Sequence, residues 1–132
     1  MDAPRILVVD DDESVRIAVC LALAALGCLT DTASGAGEAL DRFRPGRYRA
    51  VVTDLAMPLM NGLELVRRLR ALEPGLPIMI FSGSPWSAEL DDVLIARKPD
   101  VEALTRLVRR ALAPPYSGVR WARTSRGRRM AG

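Results

Sequence analysis

Short apolar runs that end on polar residues alternate with amphipathic segments along most of this 132-residue chain. Continuous runs rich in Val, Ile and Leu are typical of strands that are buried on both faces of a parallel sheet. Strands alternating with helices predict an α/β fold, in which right-handed crossovers place helices on both sides of the sheet. The five predicted strands lie at residues 5–10, 28–32, 48–54, 77–81 and 93–96.

Helices are predicted between these strands, where apolar residues recur every three or four positions. Gly27 is expected to end the first helix, and Pro45 follows the second. Asp100 is expected to cap the last helix, which ends before Pro114. The four helices before it are predicted at residues 13–26, 37–43, 63–72 and 85–90. The helix at 85–90 can have at most two turns.

Polar side chains stand where the predicted strands end. Functional groups of parallel sheets collect at this carboxyl edge. Taken singly, each of these residues also suits a cap or a turn, but together they favour a site. They are Asp10, Asp11, Asp12, Asp54, Ser82 and Lys98.

This set of side chains suits phosphoryl chemistry. Crowded carboxylates resist ionisation, and Mg²⁺, which prefers oxygen ligands, relieves the repulsion. Asp10, Asp11 and Asp54 suit such a metal site. A carboxylate can attack phosphorus to form an acyl phosphate, while the Lys98 ammonium and the Ser82 hydroxyl suit the phosphoryl oxygens. Lys98 is the only lysine of the chain.

Composition excludes several other classes of protein. The chain has no histidine, which removes histidine acid–base catalysis and the triads that depend on it. Cys20 and Cys28 form neither a disulfide framework nor a zinc site, and are interpreted as small core residues in a reducing compartment. The N-terminus lacks a basic region and no apolar run reaches about 18 residues, so we expect neither a signal peptide nor a membrane span, and a cytoplasmic location.

Charge divides the chain into two parts, a domain at residues 1–112 and a tail at 113–132. The tail carries five arginines and no acid, which leaves −2 for residues 1–112 when its +5 is taken from the total of +3. Two interpretations of the tail stay open: a solvated flexible end, or weak electrostatic binding to nucleic acid or an acidic partner. No helix-turn-helix follows the domain, so sequence-specific DNA binding is not expected.

Four motifs in order, over about residues 4–112, resemble the receiver domain of bacterial two-component response regulators. They are ILVVDDDESVR at 6–16, VVTDLAMPLMNGLEL at 51–65, PIMIFSG at 77–83 and RKP at 97–99. The resemblance implies a five-stranded, doubly wound sheet of order 2-1-3-4-5, an arrangement for which a receiver of this family is a standard example. Gly62, within the second motif, is expected to serve the turn into the following helix.

The same resemblance implies roles for the strand-end residues. Asp54 would accept the phosphoryl group from a phosphohistidine on a sensor histidine kinase or a histidine phosphotransfer protein, or from a small donor such as acetyl phosphate. Mg²⁺ would be bound by Asp11, Asp54 and the backbone carbonyl of Ala56, with Asp10 helping through water. Ser82 and Lys98 would contact the phosphoryl group and carry the switch to an unknown downstream protein. Such a domain promotes its own phosphorylation and dephosphorylation and is not a turnover enzyme.

Two departures from the family pattern concern residues 82–98. This stretch is about six residues short, which shortens the fourth helix and alters the surface that receivers use for homodimers and output. Ile95 stands where the family often has an aromatic switch residue. Ala56 and Ser84 occupy positions that tune the lifetime of the phosphoryl group in the family. Trp86 is either a core residue or an exposed anchor for a partner.

Two alternative functions are weighed against a phosphoacceptor. A pseudo-receiver would bind partners without phosphorylation, and the shortened segment is its only support. A small haloacid-dehalogenase-like phosphohydrolase also uses Asp, Ser, Lys and Mg²⁺, and Asp10 and Asp12 resemble its DxD element. That enzyme needs a larger core, and it leaves Asp54 and the loop at 57–62 unexplained.

Overall fold

The computed structural model describes residues 3–83 and 93–113 of the chain. The described residues form five strands and four helices, which alternate except between the fourth and fifth strands. The strands are β1 (Arg5–Val9), β2 (Leu29–Ala33), β3 (Ala50–Thr53), β4 (Ile78–Ser82) and β5 (Leu94–Arg97). The helices are α1 (Glu13–Ala25), α2 (Ala36–Arg42), α3 (Gly62–Leu72) and α4 (Val101–Leu112).

All five strands are parallel and lie in the order β2-β1-β3-β4-β5, which confirms the predicted sheet. The chain moves outward from β1 to β2 on one side, and then returns to place β3 on the other side of β1. Crevices outside the carboxyl ends of strands form at such a reversal. The residues that follow β1 and β3 therefore lie side by side at this edge.

Residues along each strand alternate between two cores, one on each face of the sheet. Leu7, Val51 and Ile80 pack on the face covered by α2 and α3. Val8 and Val52 pack on the opposite face, which α1 and α4 cover. The period of two follows from strand geometry, and burial on both faces explains why the strands are continuously apolar.

Three helices begin where a side chain caps the exposed amides of the first turn. Asp12 accepts a hydrogen bond from the Ser14 amide at α1, and Asn61 accepts one from Glu64 at α3. Asp100 accepts one from the Ala103 amide, which confirms the predicted cap of the last helix. These caps begin the helices close to the strand ends.

The observed element boundaries differ from the predicted ones by one or two residues. The third strand begins at Ala50 and not at residue 48, and Asp10 and Asp54 follow their strands directly. Helical periodicity predicts that Ala18 shares the apolar face of α1 with Val19 and Leu23, but Ala18 is exposed while the other two residues are buried. Ala18 lies at the margin of the apolar face, where a single methyl group does not reach the core.

Several predictions lie outside the described residues. They are the shortened helix at 85–90, Ser84, Trp86 and the tail from residue 114 onward. Among the helices that the structure describes, none combines the length and the apolar character needed to span a bilayer.

Candidate functional site

Two buried acids follow neighbouring strands at the carboxyl edge of the sheet. Asp10 and Asp54 come directly after β1 and β3, and one further backbone hydrogen bond of each ladder holds their main chain in place. The Asp10 amide donates to the Ala33 carbonyl at 3.1 Å, and the Asp54 amide donates to the Val9 carbonyl at 3.1 Å. Only 3% of Asp10 and 6% of Asp54 are exposed. Such burial of carboxylates is costly unless cations or hydrogen-bond donors compensate it.

Asp11 completes a group of three carboxylates. One oxygen each from Asp10, Asp11 and Asp54 lies within 4.8 Å of the other two, and Asp11 is exposed where the others are buried. A set made only of hard oxygen donors fits Mg²⁺ better than a softer metal. The exposed side at Asp11 also leaves room for the water or phosphate ligands that Mg²⁺ usually keeps. The predicted metal-binding carboxylates are therefore brought together.

Lys98 reaches the same carboxylates from the end of β5. Its Nζ lies 2.8 Å from Asp10 Oδ2 and 3.1 Å from Asp54 Oδ2. The backbone holds it there, since the Lys98 amide donates to the Ser82 carbonyl at 3.1 Å. The ammonium thus bridges the two buried acids across the sheet.

Burial and pairing act in opposite directions on these groups. Burial raises the pKa of Asp10, although hydrogen bonds from Lys98 and the Asp12 amide act to lower it. Burial acts to lower the pKa of Lys98, but hydrogen bonds to Asp10 and Asp54 outweigh it and raise the pKa above its ordinary value. Lys98 is therefore firmly protonated, and the negative charge at Asp10 is held at a cost in free energy.

The second carboxylate oxygen of Asp54 faces the backbone of the loop after β3. Asp54 Oδ1 accepts hydrogen bonds from the amides of Leu55 at 2.7 Å and Ala56 at 3.3 Å. The buried Thr53 hydroxyl donates to the Asp54 carbonyl at 2.9 Å. The two amides and Lys98 fix the orientation of the Asp54 carboxylate. Ala56 itself is exposed beside it.

The other predicted site residues reach this edge less directly. Ser82 ends β4 and is 4% exposed, and it is tied to Lys98 through its carbonyl. Ile95 is half-buried and packs against the core between the sheet and the helices α2 and α3. Ile95 thus lies on the face of β5 that α2 and α3 cover, and its side chain is aliphatic.

Sequence reasoning missed one contact at the site and understated another. Arg16 on α1 donates from Nη1 to the carbonyl oxygen of Asp10 at 2.7 Å, and its place one turn after Asp12 was the available signal. Gly62, expected only to serve a turn, packs its Cα against the backbone of Asp54 and Leu55. At this turn the Gly62 amide donates a hydrogen bond to the Leu55 carbonyl at 2.8 Å.

Comparisons with known proteins agree with this arrangement. Residues 6–105 match the response regulator receiver domain family. The chain is 42% identical over 81 residues to a protein-glutamate methylesterase/protein-glutamine glutaminase of Anaeromyxobacter dehalogenans, covering 61% of this chain and 23% of that protein. It is 42% identical over 78 residues to the response regulator MprA of Mycolicibacterium vanbaalenii, covering 59% of this chain and 34% of MprA. The chain thus spans about a quarter to a third of the length of these curated relatives.

A solved structure shares both the fold and much of the chain length. The response regulator TrrA of Thermotoga maritima, determined in complex with Mg²⁺ and BeF, superposes with a TM-score of 0.75 at 29% identity. The alignment covers 83% of this chain and 99% of TrrA. The fold, the strand-end acids and the family match agree, and the chain belongs to the response regulator receiver domain family of two-component signalling.

Proposed function

We propose that this protein is a phosphoacceptor and that Asp54 takes the phosphoryl group. The observation that carries the proposal is the pairing of the buried Asp54 carboxylate with Lys98, whose Nζ lies 3.1 Å from Oδ2. An Asp54 oxygen would form a bond to phosphorus while the phosphorus–nitrogen bond of a phosphohistidine breaks. The bonding electrons leave with the ring nitrogen, and the donor's imidazole departs neutral because its ring takes up one proton from solvent. The products are an acyl phosphate and a free imidazole, with no change of oxidation state.

The carboxylates of Asp10, Asp11 and Asp54 would hold Mg²⁺, with the backbone carbonyl of Ala56 as a further ligand. Bound Mg²⁺ would offset the repulsion between the Asp54 carboxylate and the anionic phosphoryl donor. Support comes from the 4.8 Å grouping of their oxygens and from the Mg²⁺ and BeF complex of TrrA. Asp10 is the least exposed of the three, and we propose that it assists through water.

Lys98 and Ser82 would carry the response to phosphorylation. Lys98 already contacts Asp54, so it would follow the new negative charge and contact a phosphoryl oxygen. The Ser82 hydroxyl would donate to another oxygen and move the end of β4 with it. Ile95 occupies the position of the family's aromatic switch, and its half-buried aliphatic side chain would leave the movement to Ser82. Ala56 and Ser84 would set how long the phosphoryl group lasts.

The donor would be a sensor histidine kinase or a histidine phosphotransfer protein, and the phosphorylated form would bind a downstream protein. Family membership supports both kinds of partner. Residues 1–112 would act as the receiver in the cytoplasm, with residues 113–132 as a basic tail. As in its family, the domain would promote its own phosphorylation without acting as a turnover enzyme.

The proposal is tested by incubating the full chain with Mg²⁺ and acetyl phosphate and measuring the intact mass. We expect wild type to gain one phosphoryl group, and Asp54→Asn to gain none because an amide does not attack phosphorus. Asp41→Asn, which replaces an exposed acid on α2, is the matched control and should be phosphorylated like wild type.

Three results would contradict the proposal in different ways. An unmodified wild type, in Mg²⁺ and also with beryllofluoride, would favour a receiver fold that binds partners without phosphorylation. Equal modification of wild type and Asp54→Asn would place the phosphoryl group on another residue. Steady release of phosphate from external esters would indicate a hydrolase.

A further inference from the structure

Arg16 holds the backbone between two of the proposed metal ligands. It lies in the first turn of α1, is half-buried, and donates from Nη1 to the Asp10 carbonyl oxygen at 2.7 Å. That carbonyl belongs to the peptide group that joins Asp10 to Asp11. Side chains on a helix point toward its N-terminus, so a long side chain one turn into α1 reaches back to the end of β1. The guanidinium therefore fixes the first of the two peptide planes that flank Asp11.

The second plane is fixed by Asp10. The Asp12 amide, which belongs to the peptide group joining Asp11 to Asp12, donates to Asp10 Oδ1 at 2.9 Å. Asp12 is held further because its carboxylate accepts from the Ser14 amide at 2.9 Å and from the Ser14 hydroxyl at 2.7 Å. Both peptide planes next to the Asp11 Cα are thus restrained by side chains. Within the described part of the chain, no hydrogen bond reaches the Asp11 carboxylate itself.

A carboxylate that accepts no hydrogen bond can be oriented toward a metal only through its backbone. The restrained backbone and exposed side chain of Asp11 meet this requirement. An exposed carboxylate on a mobile turn loses backbone freedom when it binds a metal, and that loss weakens binding. A turn that is fixed during folding has already lost this freedom. Groups that orient metal ligands in this way change metal affinity although they do not touch the metal.

We propose that Arg16 is a positioning residue that presents Asp11 to Mg²⁺ by fixing the Asp10–Asp11 peptide group. The inference rests on the proposed metal site. The inference predicts the direction in which Mg²⁺ affinity changes when Arg16 is replaced. A cation near the site repels Mg²⁺, so removing the Arg16 charge would strengthen Mg²⁺ binding if charge alone mattered. If Arg16 positions Asp11, its removal weakens binding.

The test is calorimetric titration of the full chain with MgCl₂ alone. Arg16→Met removes the charge and the donors but keeps an unbranched stem, and we expect the dissociation constant for Mg²⁺ to rise about tenfold, the lower end of such effects. Arg16→Lys keeps the charge, so any weakening it shows comes from geometry, and we expect a smaller rise. Arg109→Met is the matched control: it removes an exposed arginine near the end of α4, at the opposite edge of the sheet, and should bind Mg²⁺ like wild type.

The outcomes separate this inference from the function on which it rests. Binding by Arg16→Met that equals or exceeds that of wild type would overturn the positioning role and leave the metal site intact. If wild type itself takes up no Mg²⁺, the proposed metal site fails and the inference fails with it. Thermal unfolding of the metal-free variants shows whether each is folded. If Arg16→Met is not folded, the Arg16→Lys variant decides the question. A Mg²⁺ affinity of Arg16→Lys equal to that of wild type would then overturn the positioning role.

Discussion

At the scale of single residues, Gly62 shows how closely the loop after β3 packs around Asp54. A Cβ atom at position 62 would overlap the Asp54 carbonyl oxygen and would lie 2.8 Å from the Leu55 Cα. Both obstacles are backbone atoms of the residues that follow β3, so a side-chain rotamer change cannot relieve the overlap. The first turn of α3 therefore comes this close to the end of β3 only with glycine.

We predict that Gly62→Ala destabilises the protein by roughly 2 kcal/mol, as expected for overpacking against rigid atoms, and slows phosphorylation of Asp54 by acetyl phosphate. Gly37→Ala is the control, because Gly37 lies inside α2 and a Cβ there meets no atom within 4 Å. It should stabilise the protein by about 0.5–1 kcal/mol through helix propensity. Urea unfolding measures both changes, and equal stabilities for the two variants would contradict the packing argument.

The sequence predicted which side chains meet at the site, but not all of their contacts. Asp10, Asp54 and Lys98 were predictable because parallel strands bring their carboxyl ends together. The Arg16 contact was not, since a bond from a side chain to a backbone carbonyl depends on the path of the turn between β1 and α1. Gly62 was noticed, but its closeness to Asp54 depends on how α3 packs on the sheet, which local sequence does not encode.

At the scale of secondary structure, an ion pair network joins the edge strand β2 to its neighbours at the end of the sheet opposite the site. Asp31 on β2 accepts hydrogen bonds from Arg5 at 3.0 Å, Arg47 at 3.3 Å and the Tyr48 hydroxyl at 2.7 Å. Partial burial acts to raise the pKa of Asp31, but the bonds from Tyr48 and Arg47 outweigh it and hold the pKa below its ordinary value. Asp31 thus links β1, β2 and the residues before β3.

We predict that this network makes stability depend on pH in acid. A carboxyl whose pKa is lowered by folding stabilises the protein above its unfolded pKa of 3.8, and this contribution is lost as the pH falls through the lower folded value. The free energy of unfolding of wild type should therefore exceed that of Asp31→Asn near pH 7, and the gap should narrow below about pH 4. Tyr48→Phe should cost about 1.5 kcal/mol at pH 7, the contribution of a hydrogen bond to a charged acceptor. A gap that stays constant with pH would contradict the role of Asp31.

The positions of strands and helices along the chain were predictable from the alternation of segments, and the strand order followed from the resemblance to receiver domains. The residues at which the strands end were not predictable. In residues 48–54, for example, a buried apolar side chain lies outside β3. Tyr48 packs in the core but does not join the ladder. Where a ladder ends depends on the register of the neighbouring strands. The exposure of Ala18 was likewise not predictable, because it depends on how α1 lies on the sheet.

At the scale of the whole molecule, the acid cluster links metal binding to folding. Burial raises the pKa of Asp10, which means that its charged form is held at a cost that Mg²⁺ would reduce. A ligand that binds only the folded state stabilises it by about 2.7 kcal/mol at one hundred times its dissociation constant. The sheet that brings β1 and β3 together would then be more stable in the form that is ready for phosphorylation.

We predict that MgCl₂ raises the melting temperature of wild type in a saturable way. Asp11→Asn, which removes the exposed carboxylate of the proposed metal site but disturbs no described hydrogen bond, should lose most of this effect while keeping the metal-free melting temperature. NaCl at matched ionic strength controls for screening of the charges. An equal rise for wild type and Asp11→Asn would mean that Mg²⁺ stabilises the protein at some other place.

Asp54, and not its neighbours Asp10 and Asp11, is the residue that we propose carries the phosphoryl group. The most direct measurement is to phosphorylate the wild-type chain with acetyl phosphate and Mg²⁺, reduce it with borohydride, and locate the product by peptide mass spectrometry. Borohydride reduces an acyl phosphate to an alcohol, so a phosphorylated aspartate is read as homoserine. We predict homoserine at position 54 alone, and only when Mg²⁺ is present. Homoserine at position 10 or 11, or none at any position, would contradict the assignment of Asp54 as the phosphoacceptor.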